Sequence, residues 1–162
     1  MEIERKFLVR QLPAQLENYP SHLIEQAYLN VQPVVRVRRE DDRFYMTYKG
    51  GGMMAREEYN LPLDAASYSH LLEKADGNVI TKRRYLIPCA PYTIELDIFE
   101  GIFGGVVIAE VEFPTIDEAE HFTPPDWFGA DVTYDGHYHN SYMSRITQDD
   151  ICYQYQEVER QA

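Results

Sequence analysis

The sequence is poor in cysteine: Cys89 and Cys152 are the two in 162 residues, and no Cys-x-x-Cys pair exists. That excludes a disulfide framework and a thiolate zinc centre, and leaves both as packing residues. No run approaches the roughly 18 consecutive apolar residues of a membrane-spanning helix. Met1 is followed at once by Glu2, Glu4, Arg5 and Lys6, which is no secretory leader, so a cytoplasmic location is expected. Internal repeats and low-complexity tracts are missing too. With 44% hydrophobic and 13% aromatic residues the chain is neither disordered nor fibrous, and its length predicts one domain over residues 1–162. The most informative absence is of positive charge. Residues 85–144 hold 11 Asp and Glu and no Lys or Arg, whereas residues 1–84 hold 13 basic and 12 acidic side chains. The net charge of −12 argues against nucleic acid or an anionic membrane as partner. A basic half folded onto an acidic half would suit a polyanion carrying its metal cations.

Period-2 alternation predicts strands at about 2–9, 23–31, 34–40, 43–50, 54–63, 79–88, 92–100 and 105–113. Gln32-Pro33, Asp41-Asp42, Gly50-Gly51-Gly52 and Gly101 to Gly105 supply short turns between them, so most neighbours should be antiparallel. One helix is predicted from Ala65 to about Ala75, with Asp64 as N-cap and Gly77 just past its end. A short second helix follows Thr115 over Ile116–His121. Pro124 to Gly129 reads as a loop planting Trp127 and Phe128 against a surface, and residues 140–162 as a C-terminal helical segment.

Side chains at i, i+2 and i+4 of a strand share a face. Glu2, Glu4 and Lys6 therefore align, as do Arg36, Arg38 and Glu40; Tyr45, Thr47 and Lys49; Arg56, Glu58 and Asn60; Lys82 and Arg84; Glu95 and Asp97; Glu110 and Glu112. A half-wet sheet also alternates, but its wet face mixes signs. Here the pairs are nearly homogeneous, and adjacent like charges repel unless ions of opposite sign neutralise them. The pattern predicts a β-dominated α+β fold: a closed eight-stranded antiparallel barrel, charged inside, with helices packed outside. Its carboxylates would be hard oxygen ligands suited to Mg²⁺ or Mn²⁺, and its Arg and Lys side chains donors to phosphate oxygens. A linear oligophosphate chelated by divalent metal satisfies both, without a Ser, Cys or His nucleophile. Glu40, Asp41 and Asp42 read as a solvated turn.

Glu2-Ile3-Glu4-Arg5-Lys6 resembles the Glu-x-Glu-x-Lys signature of the CYTH superfamily, or triphosphate tunnel metalloenzymes. Arg36-x-Arg38, Lys49, Arg56-x-Glu58, Lys82-x-Arg84, Glu95-x-Asp97, Glu110-x-Glu112, Val132-Thr133 and Tyr138-x-Asn140 follow in the family's order, over roughly residues 1–145. The resemblance implies a stand-alone inorganic triphosphatase of bacterial type. Metal would sit at Glu2, Glu4, Asp97, Glu110 and Glu112, and triphosphate at Lys6, Arg36, Arg38, Lys49, Arg56, Lys82 and Arg84, with Glu58 and Glu95 at the margin of the set. Glu2, Glu4, Lys82 and Arg84 would serve catalysis. Adenylate cyclisation, or nucleoside or thiamine triphosphate hydrolysis, is the alternative in the same tunnel. A cyclase usually carries His-Phe shortly before the acidic signature, and Met1 leaves no room for it. A non-catalytic polyphosphate sensor is a further alternative, against which the intact acids argue. His137 stands where relatives often have Lys or Arg, which puts one phosphate contact in question; His137 and His139 are expected on a loop or surface. The aromatic exterior suggests a possible homodimer.

Overall fold

The computed structural model describes residues 1–151 and Tyr155. Its strands are β1 (Glu2–Val9), β2 (Ser21–Val31), β3 (Val34–Glu40), β4 (Arg43–Lys49), β5 (Ala55–Arg56), β6 (Glu58–Leu63), β7 (Asp76–Cys89), β8 (Tyr92–Phe99), β9 (Val107–Glu112) and β10 (Phe128–Asp131); its helices are α1 (Ala65–Lys74), α2 (Ile116–His121) and α3 (Asn140–Met143). Neighbours run β1-β9-β8-β7-β2-β3-β4-β6, and β5 returns to β1 through Glu2↔Arg56 and Ile3↔Ala55. Only Glu57 separates β5 from β6, so the two share one position, bonding β4 with one part and β1 with the other. The result is an antiparallel barrel of eight positions, nearly closed, whose seam is those two residue pairs. The segment 54–63, expected as one strand, is split by this change of partner. β10 pairs with β1 beyond β5, through Phe7↔Asp131 and Val9↔Phe128.

β10 corrects the loop expected at 124–129: Phe128 starts a strand too short for alternation to reveal, and its ring lies 4.9 Å from Phe7. α1 forms where expected, with the Asp64 carboxylate accepting from Ser67 N at 2.7 Å. Its Tyr68 is buried against Ala27 and Val37 on the outer face of β2 and β3. α2 follows Thr115, whose hydroxyl accepts from Glu118 N. Arg5 secures α2 by donating to the carbonyls of Ala119 (2.9 Å) and Phe122 (3.3 Å) and pairing with Asp131 (2.9 Å). The helices do not cover the whole exterior: Tyr59 and Leu61 on β6 are exposed.

The segment expected as helical from Asn140 is broken within its described part, residues 140–151. α3 stops at Met143, where Asn78 Nδ2 donates to the carbonyls of Met143 (3.1 Å) and, beyond the helix, Ile146 (2.8 Å), and Asn78 N donates to Ser144 O at 2.6 Å. The chain is helical again at 148–151; Cys152, Tyr153 and the rest of the expected helix, apart from Tyr155, lie outside the described residues. Gly77 is not the cap of α1. It sits in β7 at φ +78°, where a Cβ would meet Ser144 O at 2.1 Å.

The barrel interior is layered. Ile108 faces Asp97, Phe99 faces Lys82, Ile80 faces Gln26 and Tyr28 faces Arg36, so each step from β9 to β3 shifts the contacting level by two residues. Leu8, Ile108, Phe99, Ile80, Tyr28 and Val34 thereby meet in one apolar cluster, joined by Phe103, Tyr138 and Met143. This cluster plugs one end. The same shift brings Lys6, Glu110, Asp97, Lys82, Gln26 and Arg36 into the next level, and Glu4, Glu112, Glu95, Arg84, Ile24 and Arg38 into the one after.

Gly77→Ala should lower the unfolding free energy by more than about 1 kcal/mol, because Ala resists positive φ and its methyl would push α3 off β7. Chemical denaturation of the variant beside the parent chain measures this.

Candidate active site

Every site residue named from the sequence, Asp97 excepted, lines a single cavity of about 220 Å³. Each strand except β10 contributes through its inward positions, which is why the i, i+2 pairs meet their counterparts from other strands. Asp97 is fully buried behind Lys82 and Arg84 and does not line the space. The charges fall into three groups that differ in how they are compensated.

The first is self-neutralised. Arg84 holds Asp97 with Nε (2.7 Å) and Nη2 (2.9 Å), Glu95 with Nη1 (2.8 Å) and Glu110 with Nη2 (3.3 Å). Lys82 Nζ lies 2.7 Å from Asp97, and Lys6 Nζ 3.4 Å from Glu110. Burial would raise both acids, but Arg84 and Lys82 hold Asp97 below the usual range, and Lys6 and Arg84 hold Glu110 well below it. Burial raises Glu95. Burial pushes Lys82 down to about 7, with Arg84 acting in the same direction and Asp97 opposing. The expectation that each like-charged pair needs a bound ion is therefore corrected here: Arg84 stands directly opposite Asp97 on the neighbouring strand, and the two pairs neutralise one another.

The second group is not neutralised. Arg36 and Arg38 are buried, each 6% exposed, and neither has a carboxylate at ion-pair distance among the described residues. Arg36 Nη2 donates to Thr47 Oγ1 (3.2 Å), while its Nε has no hydrogen-bond partner. Arg38 donates through Nε to Gln26 Oε1 (2.8 Å) and through Nη1 to Tyr45 OH (3.5 Å). Arg56 Nε donates to the carbonyl of Gly50, at 3.1 Å. Buried cations without counter-ions are costly, and a buried N–H without an acceptor adds to that cost. An anion with several oxygens would relieve both.

The third group carries surplus negative charge. Glu2, Glu4, Glu58 and Glu112 line the cavity around Lys49, which lies 2.8 Å from Glu2 and 3.4 Å from Glu58. Burial, a hydrogen bond with Glu58 and the charge of Glu4 push Glu2 up to about 8. Against its own burial, Glu58 is held down to about 2 by the neighbouring Glu2 and by Lys49. Burial, Glu58 and Glu4 raise Glu112. An all-carboxylate donor set with excess charge fits a hard divalent cation. No three such groups have converged into a cage among the described residues, so a cation would draw them together.

Several lining residues escaped the sequence analysis. Glu40 continues the inward face of Arg36 and Arg38 and lines the cavity; it does not belong to a solvated turn. Tyr45 shares the face of Thr47 and Lys49, as the alternation predicts, whereas Tyr28 follows the inward phase of β2 and could have been found by it. His139 also lines the cavity, and burial and the neighbouring Lys6 push it down to about 4. It follows a 3-10 turn, Gly136–Tyr138, which has no strand periodicity to mark it. His137, half exposed beside Asp135 at 2.8 Å, does not line the cavity. Trp127 and Phe128 pack at the barrel edge with the cluster around Phe7.

The Glu2 shift sets a pH dependence. Its folded value, about 8, lies above the ordinary 4.5, so its contribution to stability is complete below about 4.5 and is lost as pH rises toward 8. Glu2→Gln should remove this decline, and the stability of the variant relative to the parent chain should rise between pH 5 and 8.5 in denaturation curves.

Comparison with known proteins agrees with this geometry. The CYTH domain model matches residues 1–131. The chain is 35% identical over 149 residues to an inorganic triphosphatase of Nitrosomonas europaea, covering 88% of this chain and 96% of that protein. It is 39% identical over 144 residues to an inorganic triphosphatase of Acetivibrio thermocellus, covering 86% and 90%. The crystal structure of the inorganic triphosphatase NE1496 superposes with a TM-score of 0.69 at 31% identity, over 91% of this chain and 96% of that one. On this match the chain belongs to the CYTH domain family.

Proposed function

We propose that the protein hydrolyses inorganic triphosphate to diphosphate and phosphate with a divalent metal, Mg²⁺ or Mn²⁺. The observation that carries this reading is the pair of buried, uncompensated guanidinium groups of Arg36 and Arg38 in the same cavity as surplus carboxylates. A cavity of about 220 Å³ lined mainly by charged side chains suits a substrate made of phosphate alone, and the relatives named inorganic triphosphatase support that choice.

Arg36, Arg38 and Arg56 bind and orient the chain of phosphates with donors that have no carboxylate to leave. Lys6 and Lys82 extend the seat, and Arg84, gripped by three carboxylates, acts mainly by holding Asp97, Glu95 and Glu110 in place. Glu2, Glu4 and Glu112 would hold the metal, with Glu110 within the same cavity; Asp97 would first have to leave Lys82 and Arg84. Held there, the metal would supply charge neutralisation on the phosphates and would make a water more acidic. In the reaction a water oxygen bonds the terminal phosphorus, the bridging P–O bond breaks, and the departing diphosphate keeps the electron pair. The water proton passes to a carboxylate at the acidic end of the cavity. The cationic side chains neutralise charge gathering on the departing group.

Incubation with triphosphate, ATP or thiamine triphosphate, each with Mg²⁺ or Mn²⁺, followed by phosphate and cyclic AMP measurement, tests the proposal. Phosphate release from triphosphate in preference to the organic substrates is expected; indifference to all of them would leave a polyphosphate sensor. Glu4→Gln should abolish metal-supported turnover with the fold retained. Arg36→Ala should raise KM for triphosphate by roughly 10- to 100-fold, the size of a lost charge-assisted contact, and more so at low salt.

A further inference from the structure

Gln26 is an uncharged side chain set on the same interior level as Lys6, Glu110, Asp97, Lys82 and Arg36, and it is fully buried. It does not line the cavity. Its Oε1 accepts from Arg38 Nε at 2.8 Å, and its Nε2 donates to Asn140 Oδ1 at 2.7 Å. The same Asn140 oxygen accepts from Lys82 Nζ at 2.9 Å. Because Arg and Lys only donate, the orientation of both amides is fixed from the two ends of the chain. Gln26 stands opposite Arg38 across β2 and β3, as Asp97 stands opposite Arg84 across β8 and β7. The contrast is chemical: Arg84 is held by a carboxylate and neutralised, whereas Arg38 is held by an amide and keeps its full charge.

We propose that Gln26 is a positioning residue that aims Arg38 at the substrate phosphates through a neutral acceptor, with Asn140 anchoring it from α3. This rests on the triphosphatase reading. A carboxylate at this position would hold Arg38 in the same place but compete with phosphate for its charge, and an apolar side chain would leave the guanidinium free to turn away. The amide does neither. The anchor also ties the phosphate seat to the segment clasped by Gly77 and Asn78.

Steady-state hydrolysis of triphosphate with Mg²⁺, together with melting curves, tests this. Gln26→Glu should raise KM roughly 10-fold or more with a smaller change in kcat, and should lower the melting temperature modestly, since the new pair with Arg38 is offset by the donor lost to Asn140 Oδ1. An unchanged KM in a parent chain that hydrolyses triphosphate would overturn this inference alone; a parent chain without turnover would remove the triphosphatase reading and this inference with it. Should Gln26→Glu not fold, Gln26→Met decides: combined with Arg38→Ala it should add no further rise in KM, since it acts through that arginine. Independent, multiplicative effects would show a merely structural glutamine and overturn the proposal.

Discussion

The structure depends on how a barrel can bury so many ionised side chains at once. Removing a charge from water costs several kcal/mol unless an opposite charge or a set of hydrogen bonds replaces the lost hydration. Most of the interior meets that condition internally, through Arg84 with Asp97, Glu95 and Glu110, and through Lys6 and Lys82. Two places do not. Among the described residues Arg36 and Arg38 have no carboxylate at ion-pair distance, and Glu2, Glu4, Glu58 and Glu112 outnumber the lysine at their centre, Lys49, so the residual imbalance has a sign at each place. A metal complex of a condensed phosphate carries both missing signs.

The imbalance is sustained by the rest of the fold. The apolar cluster of Leu8, Tyr28, Val34, Ile80, Phe99 and Ile108 fills one end of the barrel, and its packing fixes the stagger that puts charged residues of different strands on common levels. α3 and the turn before it lay Tyr138 and Met143 on that cluster, and Asn140 and His139 on the cavity. The same short segment thus belongs to the core on one side and to the site on the other. Its position rests on Gly77, whose missing Cβ permits the approach of Ser144.

Much of this was legible in the sequence. Seven of the eight strand positions and nearly all the charged lining follow from alternation, because a strand sends i and i+2 to one face whatever surrounds it, and the helix α1 follows from its Asp64 cap. The short strand β10 and the break after α3 were not legible. One has too few residues for a period, and the other is made by Asn78 reaching in from β7. Glu40 was misread because a turn and an inward face meet at that residue.

Residue order alone determined that acids and bases occupy one face of each strand, and so that a closed sheet would enclose them. It also determined the family, through pairs whose spacing needs no fold to be seen. Only the tertiary structure decided which charges cancel. Whether an arginine faces a carboxylate, an amide or nothing depends on the register between strands distant in the chain. That register is set by the packing of the apolar end of the barrel and is not written in any local pattern.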